Sequence, residues 1–174
     1  MKALRGVRYL PGNATYDVMN SPVGELTIIT SPKGLHAILW DNDLENTETE
    51  KSISELHKSN DEKTIIKTKK QLSEYFAGKR KTFDLPLVID GTDFQIQCWQ
   101  QLLKIPYGKT VSYGEQAEKV GNKNKARAVG MANGLNPISI VIPCHRVIGG
   151  NGHLVGFGGG LDKKEYLLKL EQNW

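Results

Sequence analysis

The sequence predicts an α+β protein in two parts, an N-terminal antiparallel sheet with a helix on it and a C-terminal helical part. Three observations predict it. Residues 1 to about 40 alternate apolar and polar side chains as strands do. The second half instead carries three helix-start signals: Thr92 with Gln95, Ser112 with Glu115, and Asp162 with Glu165, each a cap side chain three positions before one that can reach back. Between the two regimes lies Asp90-Gly91, which sets the expected boundary, with domains at 1–90 and 91–174.

With 174 residues and 39% hydrophobic content, the chain has ample apolar side chain for a packed core. No apolar segment approaches the roughly 18 residues that span a bilayer, and the Met1 region lacks the apolar stretch of an export signal. The expectation is a cytosolic protein without membrane contact, its Cys98 and Cys144 reduced rather than paired. The net charge of +4 is unevenly spread. Between Asp41 and Glu62 eight acids stand against two lysines, whereas between Gln100 and Leu161 seven Lys/Arg face only Glu115 and Glu118. Such an imbalance is either a solvated face or the footprint of a polyanion such as nucleic acid.

In chain order, strands are predicted at Thr15 to Met19, Gly24 to Thr30 and Gly34 to Trp40, with Ser31-Pro32-Lys33-Gly34 as the turn before the last. Asp41 to Thr64 is a polar connection with a short helix around Ser52 to His57. Ile65, Ile66, Leu72, Tyr75 and Phe76 recur at helical spacing before Gly78, so Thr64 to Ala77 reads as a helix on the sheet. Leu85 to Ile89, with Pro86 near its start, suits an edge strand.

In the second half, Phe94, Cys98 and Leu102, with Trp99 and Leu103, make the buried stripe of a helix that begins at Thr92 and stops before Pro106-Tyr107-Gly108. Cys98 on that stripe reads as an inert core thiol. Ser112 to Val120 is a short helix, Gly121-Asn122 a turn, and Lys123 to Asn133 a second helix closed by Gly134. Helix, glycine turn and a helix bearing Lys123, Lys125 and Arg127 resemble DNA-binding modules, although helix pairs of this kind also occur in bundles. Small residues Ala126, Gly130 and Ala132 let that helix approach a flat partner closely.

Ile140-Val141-Ile142-Pro143-Cys144-His145-Arg146-Val147 concentrates the chemistry. Ile138 to Ile142 is short, β-branched and bounded by Pro137 and Pro143, so it reads as a buried strand delivering Cys144 to a fixed place. A free thiol is only about 3% thiolate at neutral pH, and a cation such as His145 or Arg146 beside it raises that fraction. Cys144 is the candidate nucleophile; a core cysteine is the plain alternative. Neither thiol has CxxC or HxxxH spacing around it, so no zinc site is expected there; no cofactor is expected either. Gly149 to Gly160 follows, seven of its twelve positions glycine and Phe157 its one aromatic, a loop suited to bringing backbone N–H groups against a flat ligand. The last helix, Lys163 to about Gln172, carries an inward stripe of Leu167, Leu170 and Trp174 with Glu171 on it. Glu171 there is either a boundary residue reaching water or a carboxylate that orients His145. Adjacent residues on an extended chain point apart, so a water is expected between His145 and Cys144.

These motifs resemble the O6-alkylguanine-DNA alkyltransferase family. The resemblance rests on Ile142-Pro143-Cys144-His145-Arg146-Val147, Ser112-Tyr113-Gly114, Arg127-Ala128-Val129-Gly130, Asn136-Pro137 and Lys164-Glu165-Tyr166-Leu167-Leu168 through Glu171. It is close from Thr92 to Gln172 and looser before, where Ser21-Pro22-Val23-Gly24 and Gly34 to Trp40 carry it. It implies a ribonuclease H-like N-terminal sheet and a C-terminal winged helix-turn-helix domain holding the site, and irreversible transfer of an alkyl group from O6-alkylguanine or O4-alkylthymine in duplex DNA to Cys144. His145 would take the thiol proton through a water, with Glu171 holding His145. Tyr113, Gly114, Asn122 and Arg127 would bind DNA through the minor groove around an extruded base; Arg127 would fill the vacated place and Tyr113 would donate to guanine N3. Asn136 would brace the turn after the second helix, while the Val147 carbonyl and the Gly158 N–H would contact the base. Phe157 stands where a tyrosine is common and Gly158 where serine or alanine is usual. The resemblance implies a monomer. Two rivals remain, a cysteine hydrolase turning over on Cys144, His145 and Glu171, and a damage sensor without chemistry.

Overall fold

Three hairpin-linked strands open the fold: β1 (Thr15–Ser21), β2 (Gly24–Ser31) and β3 (Gly34–Leu39), antiparallel in order. The structure, a computed structural model, describes residues 4–172. The chain divides into two units, Met1–Asp90 and Gly91–Trp174. In the first, the acidic connection makes a 3-10 turn over Asp41–Glu45 and helix α1 (Thr47–Ser54), whose cap Asn46 accepts from Glu48 and Thr49 N–H. The helix therefore lies earlier than the expected Ser52 to His57. The freed residues form β4 (His57–Lys58), a short edge strand parallel to β1, giving the order β3-β2-β1-β4.

Helix α2 (Lys63–Phe76) starts at the Glu62 cap and lays fully buried Ile65, Leu72 and Tyr75 on the sheet. Each such side chain contributes roughly 1.5–3 kcal/mol by leaving water. The expected strand at Leu85 to Ile89 is reduced to a single parallel bridge from Leu87 to Leu35, closed by bonds of 2.7 and 2.9 Å on either side. Pro86 has no N–H to give, which limits pairing there.

The second unit opens with α3 (Asp93–Leu102), capped by the Thr92–Gln95 box. β5 (Val111–Ser112), α4 (Tyr113–Lys119) and α5 (Ala126–Gly134) follow, α4 starting at the Ser112–Glu115 box. Lys123–Lys125 form a 3-10 turn rather than the start of the second helix, because Asn122 caps that turn by accepting from Asn124 N–H at 2.9 Å. Gly134 is the last helical residue, not the residue after it. Buried polar bonds fasten the three helices: Trp99 Nε1 donates to the Ala132 carbonyl at 2.9 Å, Gln116 Nε2 to the Cys98 carbonyl at 3.2 Å, and the Gln116 and Asn133 amides exchange bonds of 3.1 and 2.8 Å. These fix the direction of α5. Cys98 is fully buried as expected, and burial pushes its thiol up to about 11.

β6 (Val147–Ile148) pairs with β5, and α6 (Leu161–Leu170) closes the unit. Its start departs from the expected box: the cap is Gly160 with no side-chain bond, and Glu165 pairs with Lys169 at 3.0 Å instead of reaching back to Asp162. Gly160 stands at φ 100°, and a Cβ there would lie 2.7 Å from Asp162 Oδ1, so the tight entry admits only glycine. Among the described residues no helix is long and apolar enough to cross a membrane.

Candidate active site

Ile138 to Ile142, expected as a buried strand, is a tight turn. The Ile142 N–H donates to the Ile138 carbonyl and the Val141 N–H to the Ser139 carbonyl, both at 2.9 Å, and Ile140 stands at φ 72°. A β-branched residue at positive φ costs about 1–3 kcal/mol, so the surroundings must hold it. Asn136 does so. Fully buried, its Nδ2 donates to the Ile142 carbonyl at 2.7 Å and its Oδ1 accepts from the Ile138 N–H at 3.0 Å. The apolar run is apolar because the turn is buried; a turn and a strand in that setting need the same side chains.

Cys144–Arg146 then form one 3-10 turn. At three residues per turn, successive side chains radiate about 120° apart, not to opposite sides as on an extended chain. Cys144 faces a cleft of about 430 Å³ that Tyr113, Arg127, Met131, Phe157 and Gly158 also line. His145 and Arg146 point to Glu171. The first carboxylate oxygen, Oε1, meets His145 Nε2 at 2.8 Å and accepts from Arg146 Nη2 at 3.0 Å. Its second, Oε2, accepts from Arg146 Nε at 2.9 Å and the Gly108 N–H at 3.2 Å. Arg146 Nη1 gives its proton to the Ile105 carbonyl at 2.6 Å.

The Glu171 side chain is 0% exposed, so burial pushes its carboxyl upward, but the bonds and charges of His145 and Arg146 outweigh that and hold it well below the usual carboxylate range. His145 goes the other way. Full burial drives its imidazole below the ordinary value, Glu171 only partly restores it, and the charges of Arg146 and Lys164 lower it again. A neutral imidazole giving its Nε2 proton to Glu171 leaves a lone pair on Nδ1, and among the described residues that buried Nδ1 has no hydrogen-bond partner. His145 therefore favours the neutral form over the standing cation the sequence suggested, and the charge of Arg146 is spent on Glu171.

A cation that interacts with Cys144 is Lys164, to which the sequence assigned no role. Lys164 is 0% exposed; its Nζ donates to the Val147 carbonyl at 2.6 Å, to Val155 at 3.2 Å and to Gly156 at 3.4 Å, and lies 5.7 Å from the Tyr113 ring centre. Burial lowers its ammonium to about 8, against an opposing pull from Cys144. A signal existed: Lys164, Leu167, Leu168 and Glu171 are the buried positions at i, i+3, i+4 and i+7. The stripe expected instead, through Leu170 and Trp174, is displaced; Leu170 is only half-buried and Trp174 lies outside the described residues.

The glycine loop does wall the cleft, through Val155, Gly156, Phe157 and Gly158. The Tyr113 hydroxyl donates to the Val155 carbonyl at 2.9 Å, and burial and Cys144 raise it to about 12. Arg127 is exposed at the mouth, Gly114 lies in the first turn of α4, and Asn122 spends its side chain on its cap. Val147 offers its carbonyl to Lys164 at 2.6 Å.

Cys144 on the wall of a cleft shared with the second helix of a helix-turn-helix, followed in sequence by the buried His145–Glu171 pair, defines a protein with a cleft-lining thiol on a helix-turn-helix frame. Comparison narrows the class. Residues 93–173 match the DNA binding domain of 6-O-methylguanine DNA methyltransferase and residues 14–89 its ribonuclease-like domain, so the chain belongs to that family. A Methanosarcina acetivorans methylated-DNA–protein-cysteine methyltransferase is 44% identical over 156 residues, 90% of this chain and 97% of the relative. A protein of the same description from Mycobacterium tuberculosis strain H37Rv is 45% identical over 158 residues, 91% of this chain and 92% of its own. The crystal structure of the M. tuberculosis O6-methylguanine methyltransferase superposes with a TM-score of 0.82 at 44% identity, covering 91% of this chain and 93% of that one. The M. tuberculosis protein in complex with DNA gives 0.81.

Proposed function

We propose that this protein repairs alkylated DNA by direct reversal in the cytosol, as a monomer, taking the alkyl group from O6 of guanine or O4 of thymine onto Cys144. The observation that carries the reading is the Cys144 thiol on the cleft wall, backed by the buried His145–Glu171 pair. His145 Nδ1 takes the thiol proton through a water. The thiolate attacks the alkyl carbon, an S–C bond forms as the C–O6 bond breaks, and the electron pair leaves on guanine, which regains a proton. A thioether on carbon gives water no easy exit, so each molecule acts once.

The base must leave the stack, at a cost of a few kcal/mol. Arg127 at the mouth fills the vacated place, while Gly114 and Asn122 approach the minor-groove backbone. Tyr113 releases the Val155 carbonyl and donates to guanine N3; Lys164 already bonds that carbonyl at 3.2 Å, so the release orphans nothing. The Val147 carbonyl and the Gly158 N–H hold the base, and Phe157 walls it.

Mixed with a duplex carrying O6-methylguanine, the protein should gain the mass of one methyl group on the Cys144 peptide and none on Cys98, read by mass spectrometry. Continued turnover would point to the hydrolase reading, and binding without transfer to the sensor. Arg127→Ala should slow duplex repair by about 10² or more while changing transfer from free O6-benzylguanine little, since only the duplex requires extrusion. Equal slowing of both would remove Arg127 from that role.

A further inference from the structure

The outward ridge of α5 carries two large side chains and two bare positions. From Arg127, the residues at i+3, i+4 and i+7 are Gly130, Met131 and Gly134, which share its face. Met131 is 69% exposed, apolar, and lines the same cleft as Cys144. Internal packing does not ask for the glycines. A Cβ at Gly130 would meet nothing closer than the Tyr113 ring at 3.6 Å, and one at Gly134 nothing within 4 Å; neither stands at positive φ. Glycine inside a helix weakens it relative to alanine, so this ridge costs the fold something and returns nothing to it. It has value only where another surface comes close to the helix backbone, and there Arg127 and Met131 are what project.

We propose that Met131 is a second wedge beside Arg127, an apolar side chain that enters the stack next to the extruded nucleotide and keeps the flanking base pair from closing over the gap. This rests on the alkyltransferase reading above. The unbranched thioether adapts to an irregular gap. Apolar wedges such as methionine unstack base steps from the minor-groove side. Arg127 supplies charge and hydrogen bonds to the space the base leaves, and Met131 supplies the dry contact that a guanidinium does not. A thioether neutralises no phosphate, so its contribution is independent of salt.

The test compares wild type, Met131→Ala and Met131→Leu on three substrates: duplex O6-methylguanine, the same oligonucleotide single-stranded, and free O6-benzylguanine. Met131→Ala should lose about tenfold more in the rate on duplex than on either of the two substrates that need no extrusion. Met131→Leu should recover most of the loss, and the slope of duplex affinity against salt should be unchanged in both. Wild-type rates for Met131→Ala on duplex would overturn the wedge. So would an equal loss on free O6-benzylguanine, which would make Met131 a wall of the cleft and nothing more. If wild type alkylates Cys144 with none of the three, the functional reading itself falls, a result distinct from either.

Discussion

Glu171→Gln should weaken both the fold and the reaction, although the two side chains have nearly the same shape. All four acceptor positions of the carboxylate face donors: His145 Nε2 and Arg146 Nη2 on one oxygen, Arg146 Nε and the Gly108 N–H on the other. A glutamine turns one oxygen into an NH2 group, so whichever way it points, two donors face a donor. The Arg146 guanidinium, its side chain 8% exposed, also loses its counter-charge. Breaking a buried pair by removing one partner costs about 3–5 kcal/mol, and the retained amide oxygen recovers only part.

The pH dependence has a definite sign. His145 and Glu171 both titrate lower folded than unfolded, so the unfolded chain binds more protons and stability rises with pH. On acidification the share of His145 is lost first, below its ordinary value of 6.5, and that of Glu171 only below 4.5. In Glu171→Gln the second step disappears. Without the carboxylate the imidazolium is less stable and His145 a weaker base, so the pH at which Cys144 reacts should move upward, with the rate at neutral pH about tenfold or more lower. Denaturant unfolding and O6-benzylguanine transfer across a pH series check both halves. Superimposable transfer profiles would leave Glu171 a structural anchor for α6 and no part of the relay.

Periodicity made the helices legible where one face is buried and the other wet, as on α2 and α3, while β2 and β3, buried at almost every residue, were legible as apolar runs bounded by turn residues. It could not separate a buried strand from a buried turn at Ile138 to Ile142, since burial alone selects Ile and Val in both. The turn was written in Asn136, whose carboxamide bonds both ends of it, yet that role emerges only when the ends come within 3 Å of one side chain. Cys144, His145 and Glu171 could be singled out because a thiol, an imidazole and a carboxylate on an apolar face have few uses, and the structure brings the last two into contact. Lys164 was missed because a lysine is normally taken for surface, and Arg146 was credited to Cys144 because sequence adjacency hides the 120° step of a 3-10 turn.

Lys164→Met should separate function from stability. The ammonium is buried and its pKa depressed to about 8, so the folded state binds it less well than the unfolded chain does, and stability should rise as pH climbs from about 8 to 10.5 and the charge is lost. Its charge is thus a burden on the fold. Methionine keeps the stem and removes the burden, at the cost of a Val147 carbonyl left one donor short, while Tyr113 still bonds those of Val155 and Gly156. Unfolding free energy should stay within about 2 kcal/mol of wild type. The reaction has no such compensation. Lys164 interacts electrostatically with Cys144, and on the proposed reading it is the donor that keeps the Val155 and Gly156 carbonyls satisfied when Tyr113 turns to the base. Its removal should lower transfer from O6-benzylguanine by about 10². Lys164 loses its charge as pH rises past about 8, so the ratio of wild-type to Lys164→Met rates should narrow there. Chemical denaturation and stopped-time transfer assays measure the two quantities. A variant that loses stability in proportion to activity, or whose rate deficit is the same below and above pH 8, would show that Lys164 staples the loop and does not act on Cys144.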